Sequence, residues 1–362
     1  MLQAAKNNNV SGDRWPIIRI AATATLLSWG LLVDARAADP PLAVKSGPDA
    51  ANVEVFHGAR ILSGTFDSPT GDRKGKEGWV QVEMMVGVDG RPYETTVVDS
   101  SNAVFDAAAV KAANRIFFRP AKRGSMPVDS SFTVKLIFFS DAEAAHGAHH
   151  KFATAYKALS KAIDSADKSQ ADAALANLEV QNLYEDAFWA YGRYLYDHKW
   201  GTEVEQRADL RRAVANEKAG RYLPDGMFHA ALEAEFALDV SLKDYGSALE
   251  TWAVLEPIAP ESVHSELQRT VDAIKSMQGS DQVVRMTQQI DKGTSWNGRL
   301  FKSGFDISVV SGAVSEIKLR CKQQYLLFKY VPGVRYTIDN WNTGECDIEV
   351  VGQSGTVFEL AQ

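Results

Sequence analysis

The chain has 362 residues, 45% of them hydrophobic and 23% charged, with a formal net charge of −7. That length exceeds one ordinary hydrophobic core, so two or three domains are expected; the composition excludes collagen-like, disordered-tail and multi-span membrane classes. The acidic balance argues against nucleic acid as a partner, because binding to a phosphate backbone rests on clustered Lys and Arg.

Residues 1–37 read as a signal peptide or signal anchor. Lys6, Arg14 and Arg19 precede an apolar run from Ile20 to Val33. At about 14 residues the run is shorter than the roughly 20 that a spanning helix needs. Ala35 and Ala37 fit the small-x-small cleavage pattern, so cleavage after Ala37 is expected, with an uncleaved signal anchor as the alternative. Either way the body of the chain is expected outside the cytoplasm. Membrane contact is then expected only through this segment, if it stays uncleaved. Ala38 to about Ala51, with Pro40, Pro41 and Pro48, reads as a linker.

Residues 52–140 read as a first domain. Val80, Val82, Met84 and Val86 alternate with Gln81, Glu83 and Met85, a period of two that predicts a strand with one buried face. Asp89-Gly90 predicts a tight hairpin with positive φ at both central positions. Tyr93 to Val98 is the returning strand. Asp106 is placed to N-cap a helix from Ala107 to about Phe117, with Ala109, Ala113, Ile116 and Phe117 on one face and Pro120 as the stop. Phe132, Val134, Leu136 and Phe138 make a third alternating strand.

Residues 141–279 turn helical and Ala-rich. Two segments look alike: Phe188, Trp189, Gly192, Tyr194 and Leu195 open one helical pair, and Ala230, Ala234, Phe236 and Leu238 open another that closes through Trp252, Leu255 and Pro257. Small residues at the crossing, an aromatic near the turn and a closing Pro describe tetratricopeptide-like helix-turn-helix repeats, with an ordinary bundle as the alternative. Tyr184, Trp189, Tyr191, Tyr194, Tyr196 and Trp200 form a dense aromatic run, read as helical packing with a peptide groove as the alternative.

Residues 280–362 return to period two, in Phe305, Ile307 and Val309, in Ile317, Leu319 and Cys321, and in Cys346, Ile348 and Val350. Gly352-Gln353-Ser354-Gly355 reads as a hairpin loop. Short strands between turns predict a small sandwich or barrel. Cys321 and Cys346, the two cysteines, occupy the apolar phase of their strands, and in an exported protein such a pair is most simply a disulfide. A loop of about 25 residues closed this way should add roughly 3–4 kcal/mol.

Ordered motifs in the first domain carry a resemblance. Glu77-Gly78-Trp79-Val80-Gln81-Val82, Val88-Asp89-Gly90, Val97-Val98-Asp99-Ser100-Ser101, Phe105-Asp106-Ala107-Ala108-Ala109-Val110, Phe118-Arg119-Pro120-Ala121 and Gly124-Ser125-Met126-Pro127-Val128 follow one another in this order. The closing strand runs from Phe132 to Phe139. This series resembles the C-terminal domain of TonB-family energy transducers. The resemblance implies a strand-strand-helix-strand module whose last strand pairs with the short N-terminal box of an outer-membrane transporter. Carried onto this chain, the docking strand is Ser131, Phe132, Thr133, Val134, Lys135, Leu136 and Ile137. The implied partners are envelope proteins, TonB-dependent transporters among them. The alternative is that this edge is covered by the chain's own helical domain.

The chain departs from the family pattern in four places. No Tyr-Pro pair precedes the first strand, residues 1–37 contain no His, no long Pro-rich spacer follows them, and two further regions follow the module. The expected fold class is thus α+β multidomain: a TonB-C-like domain, a helical middle and a small all-β C-terminal domain. The expected function is a periplasmic peptide-docking scaffold, with a motor-driven energy transducer or an envelope enzyme as alternatives. No G-x-S-x-G, H-E-x-x-H, G-x-x-x-x-G-K or C-x-x-C stands in the sequence, so neither an enzyme nor a cofactor is expected. His146, His149 and His150 with Glu143 read as a solvated linker, with no metal site, since nothing fixes a third ligand or a supporting shell.

Overall fold

The computed structural model describes residues 56–64, 77–138, 147–215, 222–291, 293–338 and 346–362. The leader, the linker, Glu143 and His146 lie outside them. Three regions follow one another: strands, then helices, then strands.

The first region holds β1 (Phe56–His57), β2 (Arg60–Ser63), β3 (Gly78–Val86) and β4 (Pro92–Ser100). Helix α1 (Asp106–Ala113) follows, then β5 (Phe117–Arg119), β6 (Ala121–Arg123), β7 (Met126–Val128) and β8 (Ser130–Phe138). β3 is the centre of an antiparallel sheet ordered β4-β3-β8. Val80, Val82, Met84 and Val86 turn one face toward Phe105, Ala109, Ala112, Ala113 and Ile116. The small side chains of α1 let the helix lie close to the sheet. The rings of Phe105 and Phe138 stack 5.1 Å apart, and a Cβ on Gly78 would lie 2.3 Å from the Phe105 ring, so only glycine fits there.

Several local expectations are corrected. Asp106 is the first residue of α1 rather than its cap; Asn102 does the capping, one 3₁₀ turn earlier, by accepting from the Val104 amide. The helix ends at Ala113, and Phe117, 47% exposed, opens a strand that pairs with β2. The turn has one positive φ, at Gly90 (φ 76), and it closes a longer loop through Gly90 N–H to Gly87 O and Gly87 N–H to Arg91 O. A single left-handed glycine ending the turn replaces the two-residue form, because Asp89 can stay at negative φ there. β3 departs most: both of its faces are buried, with Trp79 and Met85 fully covered and Glu83 at 4% exposure. Period two correctly marks a strand, but it cannot report what a distant part of the chain lays on the second face.

The helices are α2 (His150–Asp164), α3 (Lys168–Ala176), α4 (Leu183–Trp200), α5 (Glu203–Val214), α6 (Asp225–Ser241), α7 (Tyr245–Leu255) and α8 (Glu261–Gln278). α2 pairs with α3, α4 with α5 and α6 with α7. The turns of the first and third pairs share one construction. Ala166 and Lys243 adopt positive φ (55 and 60), and Asp167 and Asp244 then cap the following helix through Gln170 N–H and Ser247 N–H. Four residues on, Ala171 and Ala248 are fully buried. The pairs read in the sequence correspond to α4–α5 and α6–α7; α2–α3 is an additional pair whose Asp-x-x-x-Ala signal precedes them.

The third region holds β9 (Arg285–Gln289), β10 (Ser295–Arg299), β11 (Gly304–Ser311) and β12 (Val314–Cys321). It continues with β13 (Gln324–Lys329), β14 (Arg335–Thr337), β15 (Cys346–Gly352) and β16 (Val357–Ala361). Two antiparallel sheets, β10-β15-β12-β13 and β14-β11-β16-β9, enclose one core around Phe305, Ile317, Ile348 and Phe358. This is a sandwich. Gly352 to Gly355 is no hairpin, since β15 and β16 belong to opposite sheets. Cys321 and Cys346 lie directly opposite on β12 and β15, both 3% exposed, and form a disulfide.

Candidate peptide-docking edge

The sequence-derived docking residues Ser131 to Ile137 all fall on β8. This strand pairs with β3 on one side, in continuous register from Gly78↔Phe138 to Val86↔Ser130. Among the described residues its other side has no strand partner. An unpaired edge leaves backbone N–H and C=O groups that an extended peptide can complete. Phe132, Val134, Leu136 and Phe138 face the α1 side and join that core. Ser131, Thr133, Lys135 and Ile137 pair with Met85, Glu83, Gln81 and Trp79 on the second face. Thr133 is exposed and most of the remaining strand is half-buried.

The second face is where the rest of the chain meets the module. At the Trp79 end, Trp79 Nε1 donates to Asp186 Oδ2 of α4 at 3.0 Å. Arg212 of α5 donates through Nε to the other oxygen of Asp186 at 3.0 Å and through Nη2 to Ser101 O at 2.6 Å. The Arg212 guanidinium also covers the Trp189 ring, 4.4 Å from its centroid. Burial is the first influence on the Asp186 carboxyl, raising its pKa against the opposing pull of Arg212. Lys135 of β8 donates to Ala215 O at the end of α5 and lies 4.9 Å above the Trp79 ring. The helical region therefore covers the Lys135 end of β8, and strands β12 and β13 of the C-terminal region also lie against β8.

At the middle of the face, Glu83 meets the sandwich. Arg320, 2% exposed, brings Nη1 to 3.9 Å from Glu83 Oε2 while its Nη2 bonds Glu349 at 2.6 Å. Burial first, then the Asp347 carboxylate, pushes the Glu83 pKa up to about 8, against the opposing pull of Arg320 and Arg299. Further along, Lys318 pairs with Glu94 at 3.1 Å, and the Tyr93 and Tyr325 rings meet edge to face 6.0 Å apart. None of these partners was legible from the sequence. The available signal was Met85, an apolar residue in the polar phase of the strand, beside a glutamate in the centre of an apolar run.

The other candidates resolve simply. The aromatic run of α4 packs within the helices: Tyr184 stacks on Phe188 at 4.7 Å, Tyr191 meets Tyr194 at 5.8 Å and Tyr196 meets Trp200 at 5.0 Å. His149 precedes α2, where its amide and Nδ1 lie 2.7 and 2.8 Å from the buried Glu185 carboxylate. Among the described residues no group of three or more His, Cys, Asp or Glu is placed to hold a metal ion.

With the sheet and its edge established, comparison with known proteins finds one similarity, in this region. Residues 70–139 match the family of the Gram-negative bacterial TonB protein C-terminal. The matched residues include β3 to β8, and with them the sheet edge that has no strand partner among the described residues. No curated protein matches the chain. No helix among the described residues is long and apolar enough to cross a membrane.

Proposed function

We propose that the chain is a periplasmic scaffold in envelope transport, whose TonB-type module docks an extended peptide by strand addition on Ser131 to Ile137. The observation that carries this reading is the position of β8 at the edge of the sheet, paired among the described residues to β3 alone. Three features favour a scaffold over a motor-driven transducer. The module is bonded to the helices through Trp79 and Asp186 and to the sandwich through Glu83, Glu94 and their partners, so it is one face of a larger body rather than a free tip. Residues 1–37 carry no His, and no long Pro-rich spacer follows them. The three helix pairs support a tetratricopeptide-like reading, in which a second protein binds the array. The transducer reading keeps the family match in its favour.

The test is titration of the whole protein with a synthetic transporter-box peptide. Along an antiparallel strand successive residues point their backbone groups to opposite sides. Of Thr133→Pro and Val134→Pro, the one whose N–H points away from β3 should abolish peptide binding with the fold retained; the other should disrupt the β3–β8 ladder. Unchanged binding in both would remove β8 as the site. Binding of the proton-motor proteins, with loss of siderophore or vitamin uptake on deletion, would replace the scaffold by the transducer.

A further inference from the structure

We propose that the sandwich docks on the module's second face with uptake of one proton, held on Glu83, so that this contact is a pH-sensitive latch. The device is independent of whether β8 takes a peptide. It follows first from geometry. Glu83 is central on β3 and 4% exposed, and its Oε1 has no hydrogen-bond donor among the described residues. Away from the Trp79 end, where Asp186, Arg212 and Lys135 lie, the titratable groups on this face come from β4 and the sandwich. β4 brings Tyr93 and Glu94, β12 brings Lys318 and Arg320, β13 brings Tyr325, and β15 brings Asp347 and Glu349. β10 brings Arg299, which also reaches Glu250 of α7 at 3.0 Å. With Glu83 these are five carboxylates against three cations.

Each cation is committed to another carboxylate at shorter range. Arg320 bonds Glu349 at 2.6 Å, Arg299 bonds Asp347 at 2.8 and 3.2 Å, and Lys318 bonds Glu94 at 3.1 Å. Glu83 is left with Arg320 at 3.9 Å. A buried carboxylate without a direct donor, beside a second carboxylate, is costly; a buried carboxylic acid that donates to that neighbour is not. After burial, Asp347 is the carboxylate whose charge raises the Glu83 pKa, and it is the natural acceptor for a protonated Glu83. Tyr93 is turned away from this role, since its hydroxyl donates to Asp129 at 3.0 Å.

The sign follows from the direction of the shift. Docking raises the affinity of Glu83 for a proton, to a pKa of about 8, whereas an exposed glutamate titrates near 4.3. Docking is therefore at full strength below the ordinary glutamate range and is lost as pH rises through about 8. Within that window each pH unit weakens docking up to about tenfold.

Adjacent methionines provide the readout. Met84 and Met85 are both fully buried, Met84 within the α1-side core and Met85 on the opposite face of the strand. Peroxide oxidation of the whole protein, resolved by fragment-ion mass spectrometry, reports undocking at Met85 and unfolding of the module at Met84. Met85 should oxidise roughly fiftyfold faster at about pH 7.5 than at about pH 5.5, with Met84 slow at both. Glu83→Gln, a permanently neutral isostere, should make Met85 slow and independent of pH. If Glu83→Gln fails to fold, Asp347→Asn serves instead, and removal of the neighbouring charge should shrink the rise. A pH-independent Met85 in the unmodified protein, parallel oxidation of Met84 and Met85, a slope that persists in Glu83→Gln, or an unchanged rise in Asp347→Asn would each overturn the proposal.

Discussion

The two faces of β3 are equally buried and built on opposite principles. The face toward α1 is uniformly apolar, and its partners Phe105 to Ile116 come from the next stretch of chain. The other face holds an indole N–H, a carboxyl and a thioether, and its partners Asp186 and Arg320 are 107 and more residues away. Apolar burial is non-directional and needs only a matching surface, so the first face makes the module. Buried polar groups need specific partners in fixed geometry, so the second face selects what the module is attached to.

The difference can be broken at its strongest point first. Phe105→Ala empties the centre of the α1-side core, where the ring is fully buried and stacked on Phe138. The expected loss is about 3–5 kcal/mol in urea unfolding of the whole protein, with amide protection lost across β3 and β8. If protection fell only at the sandwich, the division of labour between the faces would be wrong. Trp79→Phe probes the second face. It keeps most of the apolar volume and deletes the donor to Asp186, leaving that carboxylate to Arg212 alone. The expected cost is about 1–3 kcal/mol, with faster amide exchange at the start of α4 while the β3–β8 ladder stays protected. Exchange spreading equally over the module would show that Trp79 is simply core. The smallest effect belongs to the rim. Lys318→Met removes a partly exposed partner of Glu94 and should change stability by about 1 kcal/mol or less, an effect that added salt reduces further. A larger, salt-insensitive loss would move Lys318 from the rim to the centre of the contact.

The module was legible because its signals are local. Alternation in Val80 to Val86 and Phe132 to Phe138 marked two strands of the sheet, and Asp89-Gly90 marked the turn between β3 and β4. The docking candidates fell on one strand for the same reason. Boundaries failed where two local solutions compete: Asn102 caps a 3₁₀ turn one step before the position assigned to Asp106. Of the helix pairs, α2–α3 escaped notice because its turn carries no aromatic, although Asp167 and Ala171 repeat the Asp244 and Ala248 pattern. The disulfide was legible from strand phase, since both cysteines occupy the inward positions that the register places opposite each other.

By itself the sequence determined the α+β order of the regions, the alternating strand that becomes β8 and the inward phase of Cys321 and Cys346, because each rests on periodicity or on neighbours close in the chain. The tertiary structure alone decided that β3 is buried on both faces, that Lys135 is held by the end of α5 and that Glu83 faces Arg320 and Asp347. A strand's period records which side chains share a face; it carries no record of which distant surface comes to rest on them.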